Sequence, residues 1–561
     1  VWVEFGWGTE IFRARQIVAE KLQLVGEDLP IEAGRPVLAP ISSIMGEIMF
    51  VGLRGKNHSP MALRDAADWM VRRRLLALPG VAQVVPIGGD EKQYQVLIDP
   101  GRMQAYGIGL QEVLEAVRQS SQNAAGGFLE QGGTEYLIRG IGRADSLEAL
   151  RQTVVGLKES EGGRRVPVLL GQLAEVQIGP ALKRGEGSMR AEPAVIIGIQ
   201  KQPGANTLEL TERVDQALEE IQKTLPEGMV IDRSGFRQAD FISRAIDNVT
   251  AALRDGALLV AVILFLFLGS WRTTFIALTA LPVSILLTAM VLAVTGDSLN
   301  TMSIGGITIA IGALVDDAII DVENVLRRLR ENRLRAPESR RPVLEVVFEA
   351  SKEVRGAILF GTLIVVLVFV PLFFLSGVEG RLLRPLGVSY IVSILASFLV
   401  ALSLTPVLSY FLLGRSEKEQ AANEPWVARK LKAGYAPLLR GALRHPGWVI
   451  GLSALLAVGA VAAVPFLGRS FLPEFNEGSL TIGVVTLPGT SLATSDALGT
   501  AIEKVLLEVP EVKSTTRRTG RAELDEHAQG VNAAELDAVL DLSGRAKEEI
   551  LADIRQRLAS V

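Results

Sequence analysis

The sequence predicts a polytopic α-helical membrane protein that carries soluble α+β modules of the split βαβ type. Three observations predict it. Between residues 250 and 467 lie six apolar runs, at about 251–269, 274–296, 301–326, 355–377, 386–413 and 447–467, each long enough as a helix to cross a hydrocarbon core of about 30 Å. Residues 1–245 and 470–561 instead alternate short strand-like runs with amphipathic helical ones. The segments on either side of the apolar block repeat one grammar, namely strand, Pro-Gly turn, helix, Pro.

The chain has 561 residues, a net charge of −4 and no cysteine. The charge balance gives no electrostatic case for nucleic acid. The missing cysteines exclude a disulfide framework and thiolate metal sites. No initiator Met or signal peptide opens the sequence: VWVEF looks like the inside of a strand, and the last residues look like a charged helix without a stop. The expectation is a piece of a larger, duplicated protein.

Taken in order, residues 1–99 give VWVEF, an amphipathic helix at about 10–24, a strand at Ile48–Leu53 and an Arg-rich helix at Met61–Leu78. Strands at Val81–Ile87 and Tyr94–Ile98 follow, then a turn at the DPGR of 99–102. Residues 100–183 change texture, as a domain inserted into the preceding module. Their Gly pairs at 126–127 and 132–133 lack the spacing and the Lys of a phosphate cradle and are expected to be hairpin turns. Residues 188–236 resume the first pattern with AVIIGIQKQ, PGANT, a helix and PEGMVI. About 285 residues later LTIGVVTL, PGTSL, a helix from about Ala493 to Leu507 and VPEV repeat it.

The loop at 327–355 holds Arg327, Arg328, Arg330, Arg333, Arg335, Arg340, Arg341, Lys352 and Arg355. The positive-inside rule makes it cytoplasmic. Counting spans from it puts the GSWRTT hairpin and the 414–446 loop on the same side, and both soluble segments outside. Within 414–446, Trp426, Val427, Leu431, Tyr435, Leu438 and Leu443 recur at roughly helical spacing among Arg429, Lys430, Lys432 and Arg440. That pattern predicts an amphipathic helix on the inner membrane surface.

The third run, within NTMSIGGITIAIGALVDDAIIDVENVLRRLREN at 300–332, carries the chemistry. From Met302 to Leu326 it covers roughly 36 Å as a helix, yet it contains Asp316, Asp317 and Asp321, with Glu323 among its last residues. A carboxylate near the centre of a span costs on the order of 2.5–3.5 kcal/mol, so it is expected to face a bundle interior and to move protons or ions. Asp317 and Asp321, four apart, share one helix face; Asp316 and Glu323, seven apart, share an adjacent one. Like charges this close in a low dielectric cannot all ionise and titrate as a set, which a proton-driven antiporter requires. None of the other five runs has a Lys or Arg deep inside it, so a cation paired with these acids is expected outside this sequence. The candidate proton relay is therefore Asp316, Asp317, Asp321 and Glu323, with an ordinary interfacial role as the alternative for Glu323.

Gly305, Gly306 and Gly312 precede the acids as helix-packing positions, and Pro282, Pro371 and Pro406 sit inside spans, where kinks are tolerated. Metal binding finds little support. The histidines are His58 in the loop GKNHSP, His445 at a membrane boundary, and His527 behind Glu523, Asp525 and Glu526 in a solvated acidic loop. Met45 and Met49 are expected in a core. No catalytic group, cofactor or metal ligand is expected.

LVDDAIIDVEN resembles the fourth transmembrane helix of the resistance–nodulation–division (RND) efflux permeases, and SFLPEFNEG at 470–478 resembles the turn after that family's seventh span. The resemblance covers essentially the whole sequence. It implies a homotrimeric, multi-pass protein of the Gram-negative bacterial inner membrane with large periplasmic domains, a secondary active transporter rather than an enzyme. Its partners would be the lipid bilayer, a periplasmic adaptor protein and an outer-membrane channel, together a tripartite pump. The porter subdomains would be ferredoxin-like, the first ending at 1–43 and the second split between 44–98 and 184–245 around a docking subdomain at 99–183. Five transmembrane helices over 250–413, a cytoplasmic linker with its amphipathic helix at 414–446, a transmembrane helix at 447–467 and the start of a second periplasmic porter region at 468–561 would follow.

The family's proton-relay aspartates fall on Asp316 and Asp317, and their usual partner, a lysine on the tenth span, lies outside this sequence. EQGGTEYLIRGIG at 130–142 and TGRAELDEHAQG at 519–530 resemble the heavy-metal branch, whereas the double Asp is the drug-branch form. Copper and silver exporters place methionines where Leu314, Asp321 and Gly483 stand here, although Met302 is present. The implied cargo is a divalent cation or a toxic organic compound. Two other functions could use the same residues. An intramembrane aspartyl protease needs Asp residues on facing helices, whereas all three lie on one. A relative that assists protein or lipid translocation would share the relay; the docking-like segment argues against it.

Overall fold

The structure is a computed structural model. It describes the chain except for residues 1, 2, 4, 7, 8, 26–28, 31–35, 37, 42–45, 160–164, 298, 299, 315, 416–425, 467–477, 523–528, 543, 560 and 561. The strand expected at VWVEF, the turn at 470–478, Met45 and the group Glu523, Asp525, Glu526 and His527 therefore lie largely or wholly outside the described residues. The chain divides into two units, Val1–Gly34 with Asp240–Phe475, and Arg35–Ala239 with Asn476–Val561.

Chain order begins with α1 (Ile11–Val25), β1 (Glu47–Arg54), α2 (Pro60–Ala66, continued by a π-helical stretch Ala67–Arg72 and by Arg73–Leu76) and β2 (Val81–Ile87). Next come β3 (Lys92–Ile98), α3 (Pro100–Tyr106), α4 (Leu110–Gln119), β4 (Ala124–Gln131), β5 (Thr134–Gly140) and α5 (Leu147–Arg151). They lead to β6 (Val154–Glu159), β7 (Arg165–Leu169), α6 (Leu170–Leu173) and β8 (Ala174–Pro180). After these stand β9 (Gly185–Met189), β10 (Glu192–Pro193), β11 (Val195–Lys201), α7 (Thr207–Thr224) and β12 (Val230–Asp232).

Strands β12, β1, β11 and β2 form an antiparallel sheet in that order. Helix α2 turns Leu63, Ala67, Val71 and Leu75 onto it, and α7 turns Leu210, Val214, Leu218 and Ile221, at helical spacings of three or four residues. Met49 lies fully buried in the same core. This is a split βαβ module. Between β2 and β11 a second core gathers Ile108, Val113, Val168, Leu170, Leu173 and Val176, and β3 pairs with β8 along its whole length.

Two local expectations change. DPGR is a helix start and not a turn: Asp99 accepts hydrogen bonds from the Gly101 and Arg102 amides at 2.8 and 3.1 Å, and Pro100 opens α3, where its missing N–H costs nothing. Gly132 and Gly133 do form the β4–β5 turn, with φ of 61° and 78°. Gly126 and Gly127 instead lie in β4 at a register shift, where a side chain on Gly126 would run into Ile138.

The apolar block folds as α8 (Gln238–Leu268), α9 (Trp271–Thr295), α10 (Thr301–Leu314), α11 (Asp316–Arg333), α12 (Val343–Phe369), α13 (Gly377–Leu412), α14 (Trp426–Arg444) and α15 (Pro446–Ala463). Among the described residues, six helices are long and apolar enough to cross a membrane, the third being α10 and α11 together over 33 residues. Pro282 and Pro406 lie inside α9 and α13, while Pro371 opens the 3-10 turn Val370–Phe374 that ends the fourth span. Ala277 of α9, Ala310, Ile311 and Leu314 of α10, and Tyr390 and Ile394 of α13 share one core. Val322, Val325 and Leu329 of α11 pack on Val346, Val347 and Ala350 of α12 in another.

The chain ends with β13 (Ser479–Val485), α16 (Leu492–Leu507), β14 (Val512–Gly520), β15 (Ala533–Leu540) and α17 (Lys547–Leu558). Their sheet runs β10-β9-β14-β15-β13, so strands from before the apolar block complete a sheet made after it. Leu506, Leu536, Ala538, Ile550 and Ile554 form its core under α16 and α17.

Candidate functional site

The third span is fixed against α9 and α13 before its acids are reached. Gly306 lets α10 approach α13 so closely that an added Cβ would collide with Ser389 Oγ and lie 2.5 Å from the Leu386 carbonyl. Ser397 of α13 donates to the Leu314 carbonyl at 2.7 Å, and Ala318 is fully buried in a cluster with Ala280 of α9 and Val400 of α13. On the helix held this way, Asp321 is 3% exposed, Asp317 is half-buried, and Asp316 and Glu323 are exposed. The face shared by Asp317 and Asp321 is thus the more buried one, and that of Asp316 and Glu323 the more open.

Asp321 has company that sequence reasoning missed. The Ser351 hydroxyl and the Arg355 guanidinium of α12 lie in the neighbourhood of its carboxylate. Asp321 Oδ2, Ser351 Oγ and Arg355 Nε nevertheless make no hydrogen bond of ordinary geometry among the described residues. Leaving buried polar atoms unpaired is costly, and a group that must gain and lose a proton is one reason to keep them so. Arg355, from the basic stretch at 327–355, is near enough for its charge to act on Asp321, but no ion pair joins the two. The signal was the four-residue spacing of Ser351 and Arg355, which sets them on one face of α12.

Beyond the acids, α11 is tied to α12 at its basic end. Asn324 Nδ2 donates to the Ala350 carbonyl at 2.8 Å and to Glu353 at 3.2 Å, and Arg327 donates to Asn324 Oδ1 at 2.7 Å. Arg328 grips both oxygens of Glu353, at 3.0 and 2.6 Å. A cavity of about 460 Å³ opens there, lined by Arg328, Glu331, Asn332, Arg335, Arg341 and Glu349 among others.

The remaining sequence candidates stay apart. The His58 ring lies 2.8 Å from the Glu227 carbonyl, and His445 occupies the cap position of α15. Among the described residues no group of three or more His, Cys, Asp or Glu side chains is placed to hold a metal ion. The other unit holds a buried network that the sequence did not flag. Arg517 of β14, fully buried, pairs with Glu503 at 3.0 Å and Asp496 at 2.9 Å, while Ser188 and Thr515 donate to Glu503 at 2.6 and 3.0 Å. Nearby, Lys183 bonds Glu186 and Asp90, and burial pushes the Glu186 carboxyl up.

An apolar helical bundle with a carboxylate buried on one candidate span, in one chain with a split βαβ module, is the architecture expected of an RND permease. The chain matches the AcrB/AcrD/AcrF family over residues 1–561 and belongs to it. Several relatives that it resembles are named for heavy-metal resistance or cation efflux. The "Cobalt-zinc-cadmium resistance protein CzcA" of Cupriavidus metallidurans is 33% identical over 539 residues, which cover 93% of this chain and 49% of the relative. The "Cation efflux system protein CusA" of Escherichia coli K12 is 36% identical over 530 residues, 93% of this chain and 50% of the relative. The "Nickel and cobalt resistance protein CnrA" of Cupriavidus metallidurans is 30% identical over 603 aligned positions, covering 100% of this chain and 55% of the relative. A crystal structure described as a heavy metal efflux pump superposes with a TM-score of 0.82 at 26% identity, over 99% of this chain and 53% of that one. The chain thus spans about half the length of the curated relatives it matches.

Proposed function

We propose that the complete protein is the permease of a proton-driven heavy-metal efflux pump, with Asp316, Asp317 and Asp321 as its proton relay and Glu323 at the relay's basic end. The observation that carries this is the placement of Asp317 and Asp321 on the more buried face of a long apolar span. A carboxylate there takes a proton when water reaches it from one side and releases it when access switches to the other. The relatives' names favour a metal cation over an organic compound as cargo, and the missing methionines at 314, 321 and 483 favour a divalent ion.

In this reading the permease sits in the bacterial inner membrane with the basic stretch at 327–355 in the cytoplasm, and works as a trimer with an adaptor and an outer-membrane channel. Residues 1–43 close a first porter subdomain, 44–98 and 184–245 form a second around a docking subdomain at 99–183, and 468–561 open the next porter region.

The test uses the complete protein in vesicles with an imposed pH gradient, offering zinc, cobalt, copper and a hydrophobic dye. Zinc or cobalt movement with proton counterflow is expected, and both fluxes stop in Asp316→Asn and in Asp317→Asn. Proton-coupled transport that survives in both variants would sink the proposal.

A further inference from the structure

We propose that α14 is a binding site for anionic phospholipid, whose basic residues bind headgroup phosphates at the membrane surface from which α15 departs. Over Trp426–Pro446 the sequence holds Arg429, Lys430, Lys432, Arg440 and Arg444 and no acidic residue. At 3.6 residues per turn, Val427, Leu431, Tyr435, Leu438 and Ala442 gather on one side of the helix. Arg429, Arg440 and Arg444 stand opposite, and Lys430 and Lys432 flank the two borders. None of the helix is buried; Leu438 is 72% exposed and Leu443 73%.

The direction of the apolar side comes from α15. One residue, His445, separates the two helices. Leu438, Gly441 and Ala442 of α14 then line a shallow hollow of about 460 Å³ together with His445, Trp448 and Val449 of the next helix's first turn. The apolar side of α14 is therefore the side on which α15 enters the bilayer, and the hollow has the apolar lining that an acyl chain fits. With that side down, Lys430 and Lys432 lie at the boundary where phosphates sit, on stems long enough to reach up to them. The Lys430 ammonium also stands 4.7 Å over the Trp426 ring, an amphipathic pair suited to the headgroup layer. Apolar insertion alone would accept any lipid; a helix that carries five basic residues and no acidic one of its own favours a negatively charged one.

The sequence has no cysteine, so a Leu438→Cys variant of the chain takes a single fluorophore at the hollow. The labelled protein is reconstituted in phosphatidylcholine–phosphatidylglycerol vesicles containing a trace of spin-labelled phosphatidylglycerol or, separately, spin-labelled phosphatidylcholine. Quenching by the anionic label should exceed that by the zwitterionic one. The preference should drop by up to about fivefold for each charge removed in Lys430→Gln and Lys432→Gln. It should also collapse at about 1 M salt, where the screening length is about 3 Å, a measurement that needs no variant. Equal quenching by the two labels would overturn the proposal and leave an apolar anchor. Quenching by neither would overturn it in favour of a protein surface covering this face.

Discussion

Gly306 shows how little room the membrane helices leave one another. A methyl group there would press on Ser389 and on the Leu386 carbonyl, a backbone atom that cannot swing aside. Gly306→Ala is expected to cost about 1–3 kcal/mol, read as a lower unfolding midpoint of the purified chain in detergent. Gly305 and Gly312 face nothing within 4 Å in the described chain, so alanine there should be neutral or slightly stabilising. The sequence marked all three as packing positions; only the structure separates them, because residue size says nothing about what stands opposite. Asp537 gives a second residue-scale test. It is 4% exposed, accepts from Thr481 at 2.7 Å, and keeps Arg518 3.7 Å from its other oxygen. Burial still pushes its carboxyl up. The fold then holds this proton more tightly than the unfolded chain does, so the stabilisation from protonating Asp537 is full below about pH 3.9 and is lost as pH rises through the folded value. Asp537→Asn, which keeps an acceptor for Thr481, should therefore gain on the native protein as pH is raised from 4 to 7. A gain that shrinks over that range would refute the sign.

At the scale of elements, cap chemistry and periodicity made most helices and strands legible. Asp99-Pro100 was the instructive miss, since the same residues that favour a turn also cap a helix, and the apolar residues downstream decide between them. Strand β14 was less accessible. Its TTRRTG sequence looks solvated, yet Arg517 is fully buried because Glu503 and Asp496 of α16 come from a neighbouring element to meet it. Removing one member of such a pair leaves an uncompensated buried charge. Arg517→Met or Glu503→Leu alone should each cost about 3–5 kcal/mol, and the double variant much less than their sum. A denaturant-unfolding cycle on the chain measures the coupling; additive losses would mean that the pair does not act as a unit.

For the whole molecule, the six candidate spans were readable because crossing lipid demands a minimum length of apolar helix, a property local in sequence. The proton-site candidates were readable for the same reason, since an acid in such a run stands out. The approach of α12, with Ser351 and Arg355, to the Asp321 region was not, because helix packing decides which faces meet. The proposed orientation has its own check in the cysteine-free background. A membrane-impermeant maleimide added to intact spheroplasts should label an Asp297→Cys variant readily and a Glu338→Cys variant only after lysis. The reverse pattern would invert the topology.

The pairing of β9 with β14 also sets a timetable for biosynthesis. Gly187 and Arg518 are partners across the shared sheet, about 330 residues apart. At roughly 5–20 residues per second, the ribosome needs on the order of 15–65 s between them. During that wait β9 has only β10 beside it, a two-residue strand that ends in Pro193, and its other edge stays open to any passing strand. The newborn chain is thus most prone to mispairing while its membrane helices are still being inserted, and a chaperone that covers this edge would be needed then and not afterwards.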